Sequence, residues 1–345
     1  MKMKLGYVGL GKMGKNMVLR LSEQGIKIVA WNRSVEPREE VRKAGVEVAD
    51  SLEELISKLK ERPSSSLRAS AKQSQSEITT SLKGHLDLLP SRNDGIIIWI
   101  MLTAGSATDE ILNQLTPLLS KGDLVIDGGN SFYKDTLERA ERLSKEGIHY
   151  MDIGTSGGPN GARTGACLMI GGSKEDFERI RPLVEAASAP QAYGHFGPVG
   201  SGHFAKMVHN GIEYGMMEAI GEGAAVLKSS GLKLDLAEVF RVYNNRSVIE
   251  SRLVDWTQQA LQEDSELSEI SEVIGHSGEG EWTIKTAEEL GVPVPVIKES
   301  FRVRVNSKEE PKGAKNPQAV IFRNRVVSAM RGKFGLHQVK RGSVG

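Results

Sequence analysis

The segment KLGYVGLGKMG, residues 4–14, constrains this chain more than any other. A strand-like apolar run, KLGYV (4–8), meets three glycines spaced GxGxxG: Gly9, Gly11 and Gly14. Helical spacing then takes over across 14–24. The first glycine permits a tight turn, the second lets backbone approach a pyrophosphate, and the third lets the helix close on the strand. The helix N-terminus adds unbonded N–H groups and the positive end of its dipole. The spacing is weak alone; at a strand–helix junction it reads as a dinucleotide-binding turn, with Met13 also expected at the cofactor.

Short apolar runs continue the pattern at 26–31, 46–48, 96–102, 124–127 and 149–153. Helical stretches at 37–44, 51–60, 106–119 and 133–146 separate them, which predicts βαβ units and a parallel, doubly wound sheet. From about residue 177 the texture turns helical, with segments at 201–229, 235–243, 248–262, 283–290, 294–304 and 318–331. The expectation is a Rossmann-like α/β domain over 1–176, an all-α domain over 177–330 and a short C-terminal tail over 331–345. The serine-rich segment 62–93 lacks periodicity where a connection normally takes a few residues, and it reads as a tolerated, disordered insertion.

Composition narrows the class. A formal net charge of +1 gives no global field for nucleic acid or an anionic membrane. The single cysteine, Cys167, fits a reducing compartment. Neither a signal peptide nor a membrane-length apolar run is evident, so a cytoplasmic protein is expected.

Two regions carry candidate chemistry. The second strand ends in WNRS, where NAD enzymes usually place an acidic residue for the ribose hydroxyls. Arg33 instead offers a fork of donors suited to a 2′-phosphate, flanked by Asn32 and Ser34, which favours NADP over NAD. The loops MLTAG (101–105) and DGGNS (127–131), the latter with Asn130, lie at the ends of strands where the nicotinamide ribose is expected. The second region is KMVHNGIEYG, residues 206–215. Lys206, His209, Asn210, Glu213 and Tyr214 share one helical stripe, while Met207, Val208, Ile212 and Met216 lie on other faces. Lys206 can act as a base if burial lowers its pKa, and Glu213 supplies a second proton-transfer group about two turns away. No cluster has convincing metal-ligand spacing, so no metal is expected.

KMVHNGIEYG, GLGKMG, NRS, DGGNS and SGGPNGARTG (156–165) together strongly resemble the decarboxylating 6-phosphogluconate dehydrogenases, in their shorter form. The resemblance implies oxidation of 6-phosphogluconate and its decarboxylation to ribulose 5-phosphate with reduction of NADP. It implies Lys206 as general acid/base and Glu213 as the acid that protonates C1. Asn130, Ser156, Gly157, Gly158, His209 and Asn210 match positions that hold the sugar acid. Tyr214 and Arg304, in FRVRVNSK, match positions that face its phosphate. MRGKFGLHQ resembles the tail by which a neighbouring subunit completes the site, bringing Arg331 and His337, so a homodimer or larger homo-oligomer is implied.

GHSGEGEWT (275–283) departs from the longer members: Ser277 stands where they carry a phosphate-binding lysine, and Glu279 and Glu281 make the turn acidic. Two other readings stay open. One is a non-decarboxylating β-hydroxyacid dehydrogenase; the other is a non-catalytic dinucleotide-binding protein.

Overall fold

The computed structural model describes residues 4–61, 95–276, 278–311, 313–335 and 339. The segment 62–93, Ser277 and His337, all singled out above, lie outside the described residues. The chain divides into two compact units, Met1–Phe204 and Ala205–Gly345.

The first unit is built on an eight-stranded sheet in the order β3-β2-β1-β4-β5-β6-β7-β8. Its strands are β1 (Lys4–Val8), β2 (Lys27–Trp31), β3 (Glu47–Val48), β4 (Ile97–Ile100), β5 (Leu124–Asp127), β6 (His149–Ser156), β7 (Ala166–Gly171) and β8 (Ser188–Gly197). Helices α1 (Lys12–Glu23), α2 (Val35–Lys43), α3 (Leu52–Lys60), α4 (Ser106–Leu115), α5 (Tyr133–Lys145), α6 (Gly158–Thr164) and α7 (Lys174–Ala187) connect them. All pairings are parallel except β6 with β7. Successive strand residues feed opposite faces, as period-2 geometry demands. Leu5, Tyr7, Ile28, Ala30, Ile97 and Trp99 join one apolar cluster, whereas Val8, Val29, Ile98, Ile100 and Val125 join another. Both faces are therefore covered, and the central strands are continuously apolar. Strand order reverses between β1 and β4, which places the Gly-rich turn at the switch point where such sheets bind ligands.

The expected boundary at residue 176 is corrected by the sheet. Helical periodicity near residue 177 belongs to α7, and the chain then returns to the sheet as β8, parallel to β7. β8 is a half-exposed edge strand, SAPQAYGHFG, without the apolar run that marks β1 or β4. Its composition hides it, so the texture changes before the unit does.

Helix α8 (Ser201–Ser229) starts in the first unit and supplies the longest element of the second. α9 (Leu236–Tyr243), α10 (Arg252–Glu263), α11 (Glu279–Glu289), α12 (Pro295–Asn306) and α13 (Pro317–Gly335) follow. Met217, Phe240, Val254, Leu261, Val326 and Met330 centre their core. The tail expected from residue 331 instead begins inside α13, whose last turn carries Arg331. Among the described residues, no helix is long and apolar enough to cross a membrane.

Candidate active site

The Gly-rich turn separates two kinds of glycine requirement. Gly9 has φ +101°, and a Cβ there would lie 2.3 Å from the Met101 carbonyl oxygen. A Cβ on Gly14 would lie 2.0 Å from the Gly9 carbonyl oxygen. These two are demanded by the fold. A Cβ on Gly11 would meet nothing within 4 Å, so the space before it is open. Gly11 also occupies the N-cap of α1 without a side-chain cap, and the first turn contains no acid. An anion at this helix end fits those donors, and the open side of Gly11 leaves room for a pyrophosphate. Met13 is half-buried and packs against the core of the sheet.

Asn32 has a bracing role that the sequence reading did not anticipate. Its Oδ1 accepts from the Leu10 N–H at 2.9 Å and its Nδ2 donates to the Ser34 carbonyl at 3.2 Å. It thus ties the glycine turn to the exit of β2. Arg33 and Ser34 are exposed beyond it.

The DGGNS turn is held from below by a buried polar network. Asp127 accepts from the Gly129 N–H (3.0 Å), Ser131 Oγ (2.8 Å) and Tyr150 OH (3.1 Å). Arg139 donates to Ser131 Oγ at 3.2 Å and, through Nε and Nη2, to Asp109 at 2.8 and 3.1 Å. This fixes the turn that presents the half-buried Asn130. Arg139 was not legible as part of it, because ERAERLS reads as a solvated helix face; the Asp before paired glycines was the available signal. Ser156 ends β6, and Gly157 and Gly158 follow with φ of +116° and +63°.

In the second unit the stripe on α8 is turned inward. Lys206 is 8% exposed, and Asn210 and Tyr214 are also buried. Lys206 Nζ lies 3.4 Å from His209 Nδ1, which in turn lies 3.0 Å from Asn210 Oδ1 and 3.9 Å from Glu213 Oε2. Burial pushes the His209 pKa down, and the Lys206 charge adds to that. Burial pushes the Glu213 carboxyl up against the lowering pull of Lys206 and Arg304; Glu279 raises it further. The stripe thus holds a carboxyl that keeps its proton above the ordinary range beside a buried amine.

Tyr214 sits at the far end, against Arg304. The Arg304 guanidinium carbon is 3.4 Å from the centroid of the Tyr214 ring, and Arg304 Nη2 contacts Met217 Sδ at 3.4 Å. Arg304 is 1% exposed, and among the described residues its Nε has no hydrogen-bond partner. Arg331 is 9% exposed. Desolvation lowers the pKa of both arginines, while Tyr214 and Glu213 pull each up. Two glycines near this cluster bring backbone close to its side chains. A Cβ on Gly280 would lie 2.6 Å from the Tyr214 ring, and one on Gly275 would lie 2.7 Å from Arg331 Nη1.

Arg331 lies beside Gly275 of its own chain because α13 continues through residue 335 and carries it there. Glu279, marked in the sequence only as an acidic departure, is buried among these groups. It raises the Glu213 pKa and supports the charge of Arg331.

Comparison with known proteins agrees with both halves. Residues 4–197 match the family described as the NAD binding domain of 6-phosphogluconate dehydrogenase, and residues 202–334 match the 6-phosphogluconate dehydrogenase C-terminal domain. A Bacillus subtilis protein provisionally named 6-phosphogluconate dehydrogenase YqeC is 38% identical over 98% of this chain and 100% of its own length. The NAD(+)-dependent, decarboxylating 6-phosphogluconate dehydrogenase of Haloferax volcanii is 36% identical, with 98% of this chain and 99% of the relative covered. Among solved structures, the Plasmodium falciparum 6-phosphogluconate dehydrogenase superposes with a TM-score of 0.71 at 28% identity, covering 95% of this chain and 70% of that one. Two family domains spanning both units, with relatives matched from end to end, show that the chain belongs to the 6-phosphogluconate dehydrogenase family.

Proposed function

We propose that the protein oxidises 6-phosphogluconate and decarboxylates the product to ribulose 5-phosphate and CO2, with NADP as the hydride acceptor. The observation that carries this reading is the α8 stripe, in which the buried Lys206 and the half-buried Glu213 offer two proton-transfer groups of different character. A reaction with a deprotonation and a later carbon protonation requires two such groups.

Gly9, Gly11, Met13 and Gly14 would hold the nucleotide, with Asn32, Arg33, Ser34 and Asn130 around its riboses. When bound, that nucleotide supplies the acceptor for hydride from C3 of the sugar acid. Lys206 takes the C3 hydroxyl proton, which leaves a 3-keto acid. The bond to the carboxyl group then breaks: CO2 departs and the electron pair passes into an enol whose oxygen is on C3, where protonated Lys206 donates. Glu213 gives its proton to the enol carbon, which becomes C1 of ribulose 5-phosphate, while Lys206 takes back the enol hydroxyl proton as that oxygen becomes the ketone carbonyl. Asn130, Ser156, Gly157, Gly158, His209 and Asn210 orient the sugar acid, and orientation alone is worth a large part of such a barrier. Tyr214, Arg304, Arg331 and His337 take the phosphate.

The NADP preference rests on Arg33, which lacks a carboxylate neighbour in NRS and suits a 2′-phosphate. Relatives of both kinds match this chain: besides the Haloferax enzyme, a Bacillus subtilis NADP(+)-dependent, decarboxylating enzyme is 36% identical over 90% of the chain, which spans 62% of that relative. We also propose a cytoplasmic homodimer or larger homo-oligomer. Ile212, Met216, Ala219, Gly223 and Val226 form an exposed stripe on α8 at alternating steps of four and three residues, with Ile212 52% and Val226 70% exposed. A second copy covering this stripe would bury apolar surface that a monomer leaves in water.

Absorbance at 340 nm with 6-phosphogluconate and either nucleotide, together with CO2 detection, tests the reaction. Reduced nucleotide with equimolar CO2 is expected. Reduction without CO2 would instead identify a simple hydroxyacid dehydrogenase, and no reduction by folded protein would refute the assignment. Light scattering on the purified protein tests the oligomer, and a mass of one chain would refute it.

A further inference from the structure

We infer that Arg139, on α5, is a positioning residue for the nicotinamide half of the dinucleotide, acting through the loops that follow β4 and β5. This role rests on the dinucleotide reading of the first unit. In a doubly wound sheet the ligand lies across the carboxyl ends of the strands. From the Gly-rich turn after β1, the exit of β2 lies on one side in the strand order and the exits of β4 and β5 lie on the other. Asn32 braces the first side. On the second, one guanidinium joins two loops. Arg139 is 3% exposed, and all three of its side-chain nitrogens are engaged. Nε and Nη2 grip the Asp109 carboxylate, in the first turn of α4, at 2.8 and 3.1 Å, and Nη2 also donates to the Gly105 carbonyl at 3.3 Å. Nη1 donates to Ser131 Oγ, at the end of DGGNS, at 3.2 Å and lies 3.6 Å from Asp127 Oδ2.

The two loops also meet directly. A Cβ on Gly129 would lie 2.7 Å from the Leu102 carbonyl oxygen, so DGGNS runs against MLTAG backbone to backbone. Thr108 Oγ1 donates to the Thr103 carbonyl at 3.1 Å, which ties the start of α4 back to MLTAG. Gly105, the N-cap of α4, has φ +86° and no side-chain cap; its carbonyl accepts from the Thr108 N–H as well as from Arg139. A planar fork behind both loops therefore sets their spacing, which a flexible ammonium would not. Burial works against the Arg139 charge, and Asp109 and Asp127 hold it ionised. Asn130, between Gly129 and Ser131, is carried by this brace at the place expected for the nicotinamide ribose. The brace thus bears on hydride transfer through orientation, without Arg139 itself touching the nucleotide.

Two variants loosen the brace. Arg139→Lys keeps the charge without the fork, and Asp109→Ala, at a half-exposed carboxylate, frees the α4 arm and decides alone if the lysine variant does not fold. Calorimetry measures binding of NADP and NAD, and of 2′,5′-ADP and ADP, which keep the adenosine end but lack the nicotinamide and its ribose. Each variant should bind the tighter dinucleotide about tenfold more weakly, the reach of a lost charged hydrogen bond, and the matching half-molecule within about twofold of wild type. Equal losses on both ligands would mark a general loosening of the unit and overturn the role, as would unchanged affinity for the dinucleotide. At saturating nucleotide, kcat on 6-phosphogluconate should fall on the order of 10–10²-fold through misplaced hydride transfer, and full kcat would refute the inference. Wild-type protein inactive on 6-phosphogluconate would count against the proposed reaction, while the binding comparison, which uses no sugar acid, would still decide the role of Arg139. Wild-type protein that binds neither dinucleotide would overturn both.

Discussion

The two units build their sites from different materials. In the first, the Gly-rich turn presents backbone: Gly9 and Gly14 are fixed by close approach, Gly11 faces open space, and Asn32 braces the loop through amide hydrogen bonds. In the second, α8, α11, α12 and α13 supply the buried Lys206, Tyr214, Glu279, Arg304 and Arg331, with the half-buried Glu213 among them. A backbone site carries its donors at little cost to the fold. A cluster of desolvated charges opposes folding unless its members compensate one another. The first site should therefore be sensitive to shape and the second to charge.

The largest break in that contrast should come from Lys206→Met. Turnover is expected to fall on the order of 10²–10⁴-fold, the usual reach of general acid/base catalysis. Nucleotide affinity, measured by fluorescence titration, should be unchanged; near-normal turnover would refute the assigned base. Arg304→Ala comes next. Losing a charge-assisted contact of roughly 1.5–3 kcal/mol should reduce kcat/KM for 6-phosphogluconate on the order of 10–10²-fold. Binding of unphosphorylated gluconate, measured by calorimetry, should hardly move, and equal losses of affinity for both sugar acids would remove the phosphate role.

Glu218 sharpens the charge side of the comparison through pH. Burial is the main cause that lifts this carboxyl from the ordinary 4.5 to about 7. Arg323 Nε lies 3.1 Å from Glu218 Oε1, but the alignment gives neither carboxylate oxygen a hydrogen bond, and Arg323 donates to Asn324 instead. Because the folded protein holds this proton more tightly than the unfolded chain, stability falls as pH rises from 4.5 to about 7. The cost levels off above that range at up to about 3 kcal/mol. Glu218→Gln should flatten this part of the profile and raise the melting temperature at pH 8 relative to wild type. An unchanged difference between pH 5 and pH 8 would show that the carboxyl is already compensated.

Shape is tested by a pair. Gly14→Ala forces a Cβ against the Gly9 carbonyl and should destabilise the fold by about 1–3 kcal/mol. Gly11→Ala meets no atom of the chain and should leave the melting temperature unchanged while weakening nucleotide binding. Equal destabilisation by the two would erase the distinction between them. The smallest effect expected is a shift in preference: Arg33→Asp should weaken NADP more than NAD, in separate titrations, and parallel losses would discard the 2′-phosphate contact.

The backbone-built site was the more legible of the two. GxGxxG after KLGYV states the strand, the turn and the helix within eleven residues, because local geometry alone dictates them. The parallel sheet followed from the same short-range pattern as far as β6. Beyond it, β8 was lost because a polar edge strand lacks the apolar run that betrays a buried strand, whereas β7, ACLMIG, carries such a run directly after the Gly-rich segment 157–165 and was passed over. The α8 stripe was legible through helical spacing, yet its orientation was not: the apolar Ile212 and Met216 on other faces are exposed, whereas Lys206 and Asn210 are buried. Spacing assigns residues to a face but does not say what covers it. The union of Glu279, Arg304 and Arg331 with Tyr214 depends on helix packing between distant segments, and only the family resemblance hinted at two of them.

The repulsion between the buried Arg304 and Arg331 has a practical consequence at the bench. If these arginines take the substrate's phosphate as proposed, they would not distinguish sharply between an oxyanion attached to a sugar and one in the buffer. Inorganic phosphate and sulfate should raise the melting temperature of the free enzyme and compete with its substrate. Activity measured in phosphate buffer would then be an inhibited activity, and a zwitterionic amine buffer with chloride is the medium in which this site would show its own affinity.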